Sequence, residues 1–337
     1  RNLLTGVPII WLPKHSIYWT HPTKEPKEHL RDVVKRLAPK AFRRPVADAE
    51  IESFVSLAKP HHPKDQPMHK MVRAPLRAMF SSPQFLFHRA NPGPLNDYAL
   101  ATRLSYFLWK SAPDQQLHRL AGKGSLKEPI VLTGQVERML SDPRAGRFIN
   151  DFLDGWLQLR EIDATTPDEK LYPEFDDQLR QAMLAETRLF FRELLDRNLG
   201  VRHFIKSDFT FLNRRLARHY GIDGVAGEKM RLVDLPEDSV RGGLMTQASI
   251  LKVTANGTLT SPVKRGNFVL TSLLGTPPNP PPPTIEAIEP DIRGAVTIRE
   301  TLAKHRNVQS CANCHQHIDP RLRRLDKLVE RGDKGRA

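Results

Sequence analysis

Two cysteines and a histidine near the C-terminal end of the chain have the spacing of a haem attachment site. Cys311, Cys314 and His315 form the order C-x-x-C-H, and the chain has no other cysteine. Each thiol can form a thioether with one vinyl group of a porphyrin, and two intervening residues place both sulfurs on one side of a turn. His315 follows at once, so its imidazole can ligate the iron. The pattern predicts covalent attachment of haem c.

Three other interpretations of this cysteine pair stay open on the motif alone. A redox-active disulfide shares the C-x-x-C order, although the βαβ pattern that accompanies it in thioredoxin-like folds is not visible in the sequence. The pair could form half of a zinc site, with His315 or His317 as further ligands. The cysteines could also be reduced structural thiols. The histidine directly after Cys314 favours haem.

The motif does not specify the second axial ligand of the iron. Methionine commonly fills this position in cytochromes c and raises the reduction potential, but no methionine follows Cys314. Met245, which lies upstream of the motif, is our candidate for the distal ligand. His317 is only two residues from His315, so we expect its side chain to point away from the same iron and into solvent.

The composition indicates a soluble chain with a strong positive charge. Of 337 residues, 39% are hydrophobic and 27% charged, and 52 Lys and Arg against 38 Asp and Glu give a net charge of +14. No apolar run reaches the roughly 18 residues of a membrane helix, so we predict no membrane span. The basic residues are spread along the chain without a nucleic-acid-binding motif, which favours a solvated surface and leaves acidic polysaccharide open as a partner. No hydrolase triad, P-loop or dinucleotide fingerprint occurs, so an electron carrier is expected rather than a catalyst.

Apolar residues recur at helical spacing through most of the chain before residue 222. One such face begins at Leu30, and its helix is expected to end at Pro39. The longest helix is predicted over 173–198 and a further one over 208–220, with a short strand over 230–235. Because strand-like alternation is rare, the predicted fold class is mainly α, with multi-helical domains followed by a small cytochrome c-like haem-binding segment.

Changes in composition divide the chain into four parts. We predict the end of a preceding domain or a linker over 1–28, helical domains over 29–92 and 93–222, and a cytochrome c-like domain over 223–337. A P-G-P sequence marks the boundary near residue 92. Within the last part, the proline-rich stretch 275–283 predicts a stiff polyproline II spacer ahead of the haem motif at 311–315.

Six short motifs follow one another in a distinctive order. They are A-F-R-R-P-V at 41–46, L-S-Y-F-L-W at 104–109, R-G-G-L-M-T-Q-A-S at 241–249, N-G-T with S-P-V-K-R-G within 256–266, L-G-T-P-P at 274–278, and the haem motif through Pro320. Their order resembles that of planctomycete-type multidomain proteins of unknown function with a C-terminal cytochrome c motif, over about residues 31–320. The resemblance implies covalent haem at Cys311, Cys314 and His315 behind a helical domain, and it implies no particular reaction.

Two functions from different classes are compatible with these observations. The first is an exported, periplasmic or otherwise extracytoplasmic, cytochrome-like protein whose haem c exchanges electrons with a partner protein. Export is expected because haem c is generally assembled outside the cytoplasm. The second is a helical scaffold or binding protein, for acidic polysaccharide for example, with a degenerate haem site. This alternative arises because the basic segment 321–331 stands where the family usually has an apolar, aromatic stretch.

Overall fold

A computed structural model describes residues 26–58, 68–88, 92–255, 257–258 and 261–278 of the chain. These residues are mainly helical, which confirms the predicted fold class. They fall in two compact units, one within residues 1–148 and the other within 149–337. The haem motif and most of the polyproline spacer lie outside the described residues.

The first unit holds two groups of helices. The first group consists of α1 (Pro26–Phe42), α2 (Asp48–Val55), α3 (Met68–Ser81) and α4 (Pro83–Leu86), and the second of α5 (Asp97–Trp109), α6 (Gln115–Lys123) and α7 (Pro129–Leu140). After α7 the chain forms α8 (Gly146–Trp156). Each group has its own cluster of buried apolar side chains, as expected for amphipathic helices that bury one face.

Helix α1 confirms the apolar face predicted from Leu30 but not the predicted end of the helix. Leu30, Val33 and Val34 are fully buried against α2 and α3. Pro39, however, lies inside α1, which continues to Phe42. A proline at this position cannot donate to the carbonyl group four residues earlier, at Lys35. Lys35 is exposed, so water can satisfy that carbonyl, and the burial of Phe42 anchors the final turn.

Arg43, from the A-F-R-R-P-V motif, joins the end of α1 to the end of α4. Its side chain is buried, and its guanidinium donates to the carbonyl oxygens of Gln84 (2.7 Å), Phe85 (3.1 Å) and Phe87 (3.2 Å). The carbonyl groups at the C-terminal end of a helix have no partner within the helix, and a fixed cation there also suits the helix dipole. Arg43 therefore acts as a buried cap for α4.

We expect Arg43→Met to lower the free energy of unfolding by about 1.5–3 kcal/mol, because it removes the charged donor that pairs with the carbonyl oxygens of Gln84, Phe85 and Phe87. The neighbouring Arg44 provides a matched control. It makes a paired contact with Glu50 (2.8 and 3.0 Å) from a side chain that is 38% exposed. Arg44→Met should cost no more than about 1 kcal/mol. Urea denaturation followed by circular dichroism measures both, and equal losses would contradict the capping role of Arg43.

The second helical group is organised around Trp109, at the end of α5. This indole is fully buried and donates from its ring nitrogen to the carbonyl oxygen of Met139 in α7, at 2.9 Å. The guanidinium carbon of Arg144 lies 3.5 Å from the centre of the ring. At the start of α5, Asn96 accepts from the backbone N–H of Ala99, as expected for an N-cap.

The second unit is built around a long helix, α9 (Asp177–Asp196), which confirms the longest predicted helix. It also contains β1 (Phe209–Leu212), α10 (Arg214–Tyr220), β2 (Arg231–Asp234), α11 (Ala248–Val253) and α12 (Pro262–Phe268). Asp176 caps α9 by accepting from the backbone N–H of Leu179 at 2.7 Å. Helix α9 packs against β1, α10 and α11.

The prediction of one helix over 208–220 is wrong in its first half. Phe209–Leu212 forms a strand that pairs antiparallel with Arg231–Asp234, where a short strand was predicted. Asn213 then accepts from the backbone N–H of Leu216 and starts α10. The asparagine ends the strand because its side chain caps the helix that follows. The β1–β2 pair joins residues on both sides of position 222, and the predicted domain boundaries stay predictions.

Candidate functional site

Among the predicted site residues, Met245 alone lies in the described part of the chain. Cys311, Cys314 and His315 lie outside it, as does His317. Met245 is half-buried in a 3-10 turn, Leu244–Thr246, which directly precedes α11. This turn belongs to the R-G-G-L-M-T-Q-A-S motif, which we call the 241–249 segment. The described part of the candidate site therefore consists of this segment and the contacts that hold it in place.

Two glycines let the 241–249 segment approach the chain that precedes β1. Gly242 and Gly243 have positive φ angles of +130° and +82°. A Cβ atom at Gly242 would collide with the carbonyl oxygen of Ser207, and one at Gly243 would lie 2.5 Å from that of Ile205. Only a residue without a side chain fits both the backbone angles and the available space.

The turn that carries Met245 is closed by side chains of its own segment. The hydroxyl of Thr246 accepts from the backbone N–H of Gly242 and donates to the carbonyl oxygen of Gly243, at 2.9 Å in each case. Arg241 donates from its guanidinium to the carbonyl oxygen of Thr246 at 2.8 Å. Together with the backbone N–H of Thr246, which donates to the same carbonyl oxygen of Gly243, these side-chain bonds define the conformation of the turn.

A buried carboxyl group on α9 connects to this segment through a chain of hydrogen bonds. Glu186 is 1% exposed, and its two oxygens accept from the hydroxyls of Tyr220 (2.5 Å) and Thr210 (2.6 Å). The phenol oxygen of Tyr220 in turn accepts from the backbone N–H of Ala248 at 2.7 Å. Glu186 thereby joins α9, β1, α10 and the first turn of α11.

The electrostatics of this network follow from burial. Removal from water raises the pKa of Glu186 to about 7, although the hydroxyls of Thr210 and Tyr220 and the charge of Arg241 act in the opposite direction. Burial and the adjacent carboxyl group raise the pKa of Tyr220 well above its usual value. The guanidinium carbon of Arg241 lies 3.7 Å from the centre of the Tyr220 ring. The group that titrates near neutral pH is therefore the carboxyl group.

A second polar contact fixes the other end of the segment. The hydroxyl of Thr187, next to Glu186 on α9, donates to the side-chain oxygen of Gln247 at 2.7 Å and lies 2.6 Å from the hydroxyl of Ser249. Thr187 and Ser249 are fully buried, and Gln247 is nearly so. Buried polar groups that pair with one another in this way specify a single arrangement of the elements that carry them.

The described part of the chain offers neither a metal-binding cluster of side chains nor a helix that could span a membrane. No group of three or more His, Cys, Asp or Glu side chains in this part of the chain could hold a metal ion. None of the helices in the same ranges is long and apolar enough to cross a membrane.

Sequence reasoning missed Glu186, although the sequence contains a signal for it. Glu186 follows Ala182 and Met183 by four and three residues and precedes Phe190 by four, and these three side chains are buried. A charged residue at that spacing lies on the apolar face of its helix, where it needs hydrogen-bonding partners. Tyr220 and Thr210 carry no comparable signal, because their roles depend on contacts far apart in sequence.

The described residues define a mainly α-helical protein that divides into two compact units. Three successive segments match families of proteins of unknown function, namely PSD5 (DUF1595) over residues 29–89, PSD4 (DUF1592) over 95–222 and PSCyt3 (DUF1588) over 241–333. These are planctomycete-type multidomain families, which confirms that part of the resemblance. No curated protein and no solved structure matches the chain. The 241–249 segment opens the PSCyt3 match, and Glu186, Thr210 and Tyr220 lie in the PSD4 match.

Proposed function

We propose that the chain is an exported c-type cytochrome-like protein that binds haem c through Cys311, Cys314 and His315 and transfers electrons to a partner protein. The observation that carries the proposal is the match of residues 241–333 to PSCyt3, a family whose name points to a cytochrome, because the match contains the C-x-x-C-H motif. Two thiols and an imidazole are the donor set that haem c requires. The bound group would supply reversible one-electron chemistry.

Met245 is the distal ligand that we propose for the iron. Its thioether is a donor that cytochromes c use, and Met245 precedes the motif within the same family match. The turn around it is held by Gly243, Thr246 and Arg241 through the contacts given above. A ligand carried on a rigid turn loses little conformational entropy when it coordinates, which favours a defined geometry at the iron.

The remaining parts of the proposal concern the compartment and the partner. Covalent haem attachment places the protein in the periplasm or elsewhere outside the cytoplasm, where the chain has no further cysteine to form a wrong disulfide. A net charge of +14 would speed encounter with an acidic redox partner at low ionic strength. We propose a protein as that partner, and no nucleic acid.

A second candidate function is a helical scaffold or binding protein with a degenerate haem site, for which acidic polysaccharide is the proposed ligand. The basic sequence 321–331 favours it, since it replaces an apolar stretch that would shield a haem from water. Each of the two helical groups of the first unit also has its own cluster of buried apolar side chains. A folded, colourless protein that binds an acidic polysaccharide would support this function.

Redox titration of the full chain, matured with cytochrome c assembly factors, tests the proposed function. We expect a visible spectrum that changes reversibly on reduction and reoxidation. Met245→Leu should lower the midpoint potential, because a thioether ligand raises it. The control is Met183→Leu, a similar change at a buried core position of α9, which should leave the potential unchanged. A redox-inert spectrum would contradict electron transfer, and an unchanged potential in Met245→Leu would exclude this residue as the ligand.

A further inference from the structure

Glu186 is a buried acid to which the proposed function assigns no role. Its carboxyl group is 1% exposed and lies under the start of α11, whose Ala248 N–H it reaches through the hydroxyl of Tyr220. Burying a charged group costs free energy, so uncharged side chains alone would link these elements more cheaply than a carboxylate does. Because this group lies beneath the 241–249 segment, its protonation state is coupled to how firmly the segment is held.

The groups that surround Glu186 determine which of its two protonation states is favoured. Strand β1 contributes the neutral hydroxyl of Thr210, and α10 contributes the phenol of Tyr220. Helix α11 contributes the backbone N–H of Ala248, and the loop before it contributes the cation of Arg241. The two hydroxyls and the cation favour the charged form of the carboxyl group, whereas exclusion of water favours its neutral form.

We propose that Glu186 is a pH-sensitive latch for the 241–249 segment: the segment stays closed over α9 when the carboxyl group is protonated and opens more readily when it is ionised. Opening would separate Ala248 from Tyr220 and admit water to the carboxyl group. Water solvates a carboxylate far better than it does a neutral carboxylic acid, so ionisation favours the open form. The proton is exchanged with solvent, and no other reactant is needed.

The direction and range of the effect follow from proton linkage. The pKa of Glu186 is about 7 in the closed form, against an ordinary value of 4.5 that applies once water reaches the group. The stabilisation of the closed form is therefore fully present below about pH 4.5 and is lost as pH rises through about 7. The difference between these two pKa values sets the largest possible change: from low to high pH, the equilibrium constant for opening can rise by at most roughly 300-fold.

The latch would control the exposure of Met245, which lies in the middle of the segment. This consequence does not depend on haem, because every contact invoked lies between described residues of the second unit. The latch and the proposed function can therefore fail independently. Gly242 and Gly243 would act as the pivot of the opening movement, because their backbones are held against those of Ser207 and Ile205.

Hydrogen–deuterium exchange of the full chain between about pH 5 and pH 8, corrected for intrinsic exchange rates, tests the latch. In the wild type, protection of the 241–249 amides should fall with rising pH, by up to roughly 70-fold between these two pH values. Glu186→Gln should remove this dependence, because its side chain does not titrate. Asp196→Asn, an exposed position at the end of the same helix, should keep the wild-type dependence.

A second variant keeps the test decisive if Glu186→Gln does not fold. Thr210→Val retains the shape of the side chain but removes one hydroxyl that favours the ionised carboxylate. The pKa of Glu186 should then rise further, so the loss of protection should move to higher pH. A purely structural role for Thr210 would lower protection at every pH without moving the midpoint. Equal pH dependence in the wild type and Glu186→Gln, or an unmoved midpoint in Thr210→Val, would overturn the latch.

Discussion

Alanine at position 243 is expected to destabilise the second unit by about 3–5 kcal/mol, one of the largest effects that a single methyl group can have in this chain. Gly243 has φ +82° and ψ 169°, a backbone region that is essentially restricted to glycine. A Cβ atom there would also lie 2.5 Å from the carbonyl oxygen of Ile205 and 2.8 Å from that of Phe204. Both neighbours are backbone atoms, so they cannot move aside as a flexible side chain would.

Gly224→Ala is the matched control for this prediction. Gly224 has nearly the same φ, +81°, but a Cβ atom built on it would meet no other atom within 4 Å. Its substitution should therefore cost only the backbone strain, about 1–2 kcal/mol. Urea denaturation of both variants gives the comparison. Similar losses would mean that the 241–249 segment does not approach the chain before β1 as closely as described.

The second prediction with a large expected effect concerns the C-x-x-C-H motif. Each substitution there should change haem attachment in a different way. Cys311→Ala should leave one thioether and shift the haemochrome band. Replacing Cys311 and Cys314 together should let acid–acetone extract all of the haem, because no covalent bond would remain. His315→Ala should prevent attachment as well, since the iron–imidazole bond positions the porphyrin for the two thiols.

His317→Ala is the control for the histidine variant, because we expect that side chain to face solvent. It should attach haem as the wild type does. Under the zinc alternative the pattern differs, since both histidines could act as ligands and the protein would bind zinc without colour. Equal amounts of covalent haem in the wild type and the double-cysteine variant would end the haem c interpretation.

Local patterns predicted the helices well because helical spacing is a property of neighbouring residues. The face formed by Leu30, Val33 and Val34 is buried as expected, and α9 lies within the predicted range 173–198. Strand β1 was not predicted, because a sequence as short as F-T-F-L, with three apolar residues, fits a helix or a strand equally well. Its partner, β2, comes some twenty residues later in the chain, and only that pairing decides between the two.

The candidate site was predictable only in part, for a similar physical reason. The resemblance marked the 241–249 segment, but no local pattern showed why it contains two glycines. Their requirement comes from carbonyl groups at Ser207 and Ile205, which sequence spacing alone cannot place. Glu186 carried a local signal, a charge on an apolar helix face, whereas its hydrogen bonds to Thr210 and Tyr220 are set by the tertiary fold.

The central claim, covalent haem c at Cys311, Cys314 and His315, is tested most directly by one measurement. It is the pyridine haemochrome spectrum of the full chain matured with cytochrome c assembly factors, recorded after acid–acetone extraction. We predict a c-type band that stays with the protein, with iron as the bound metal. A folded protein that is colourless after maturation, or that contains zinc in place of iron, would contradict the account.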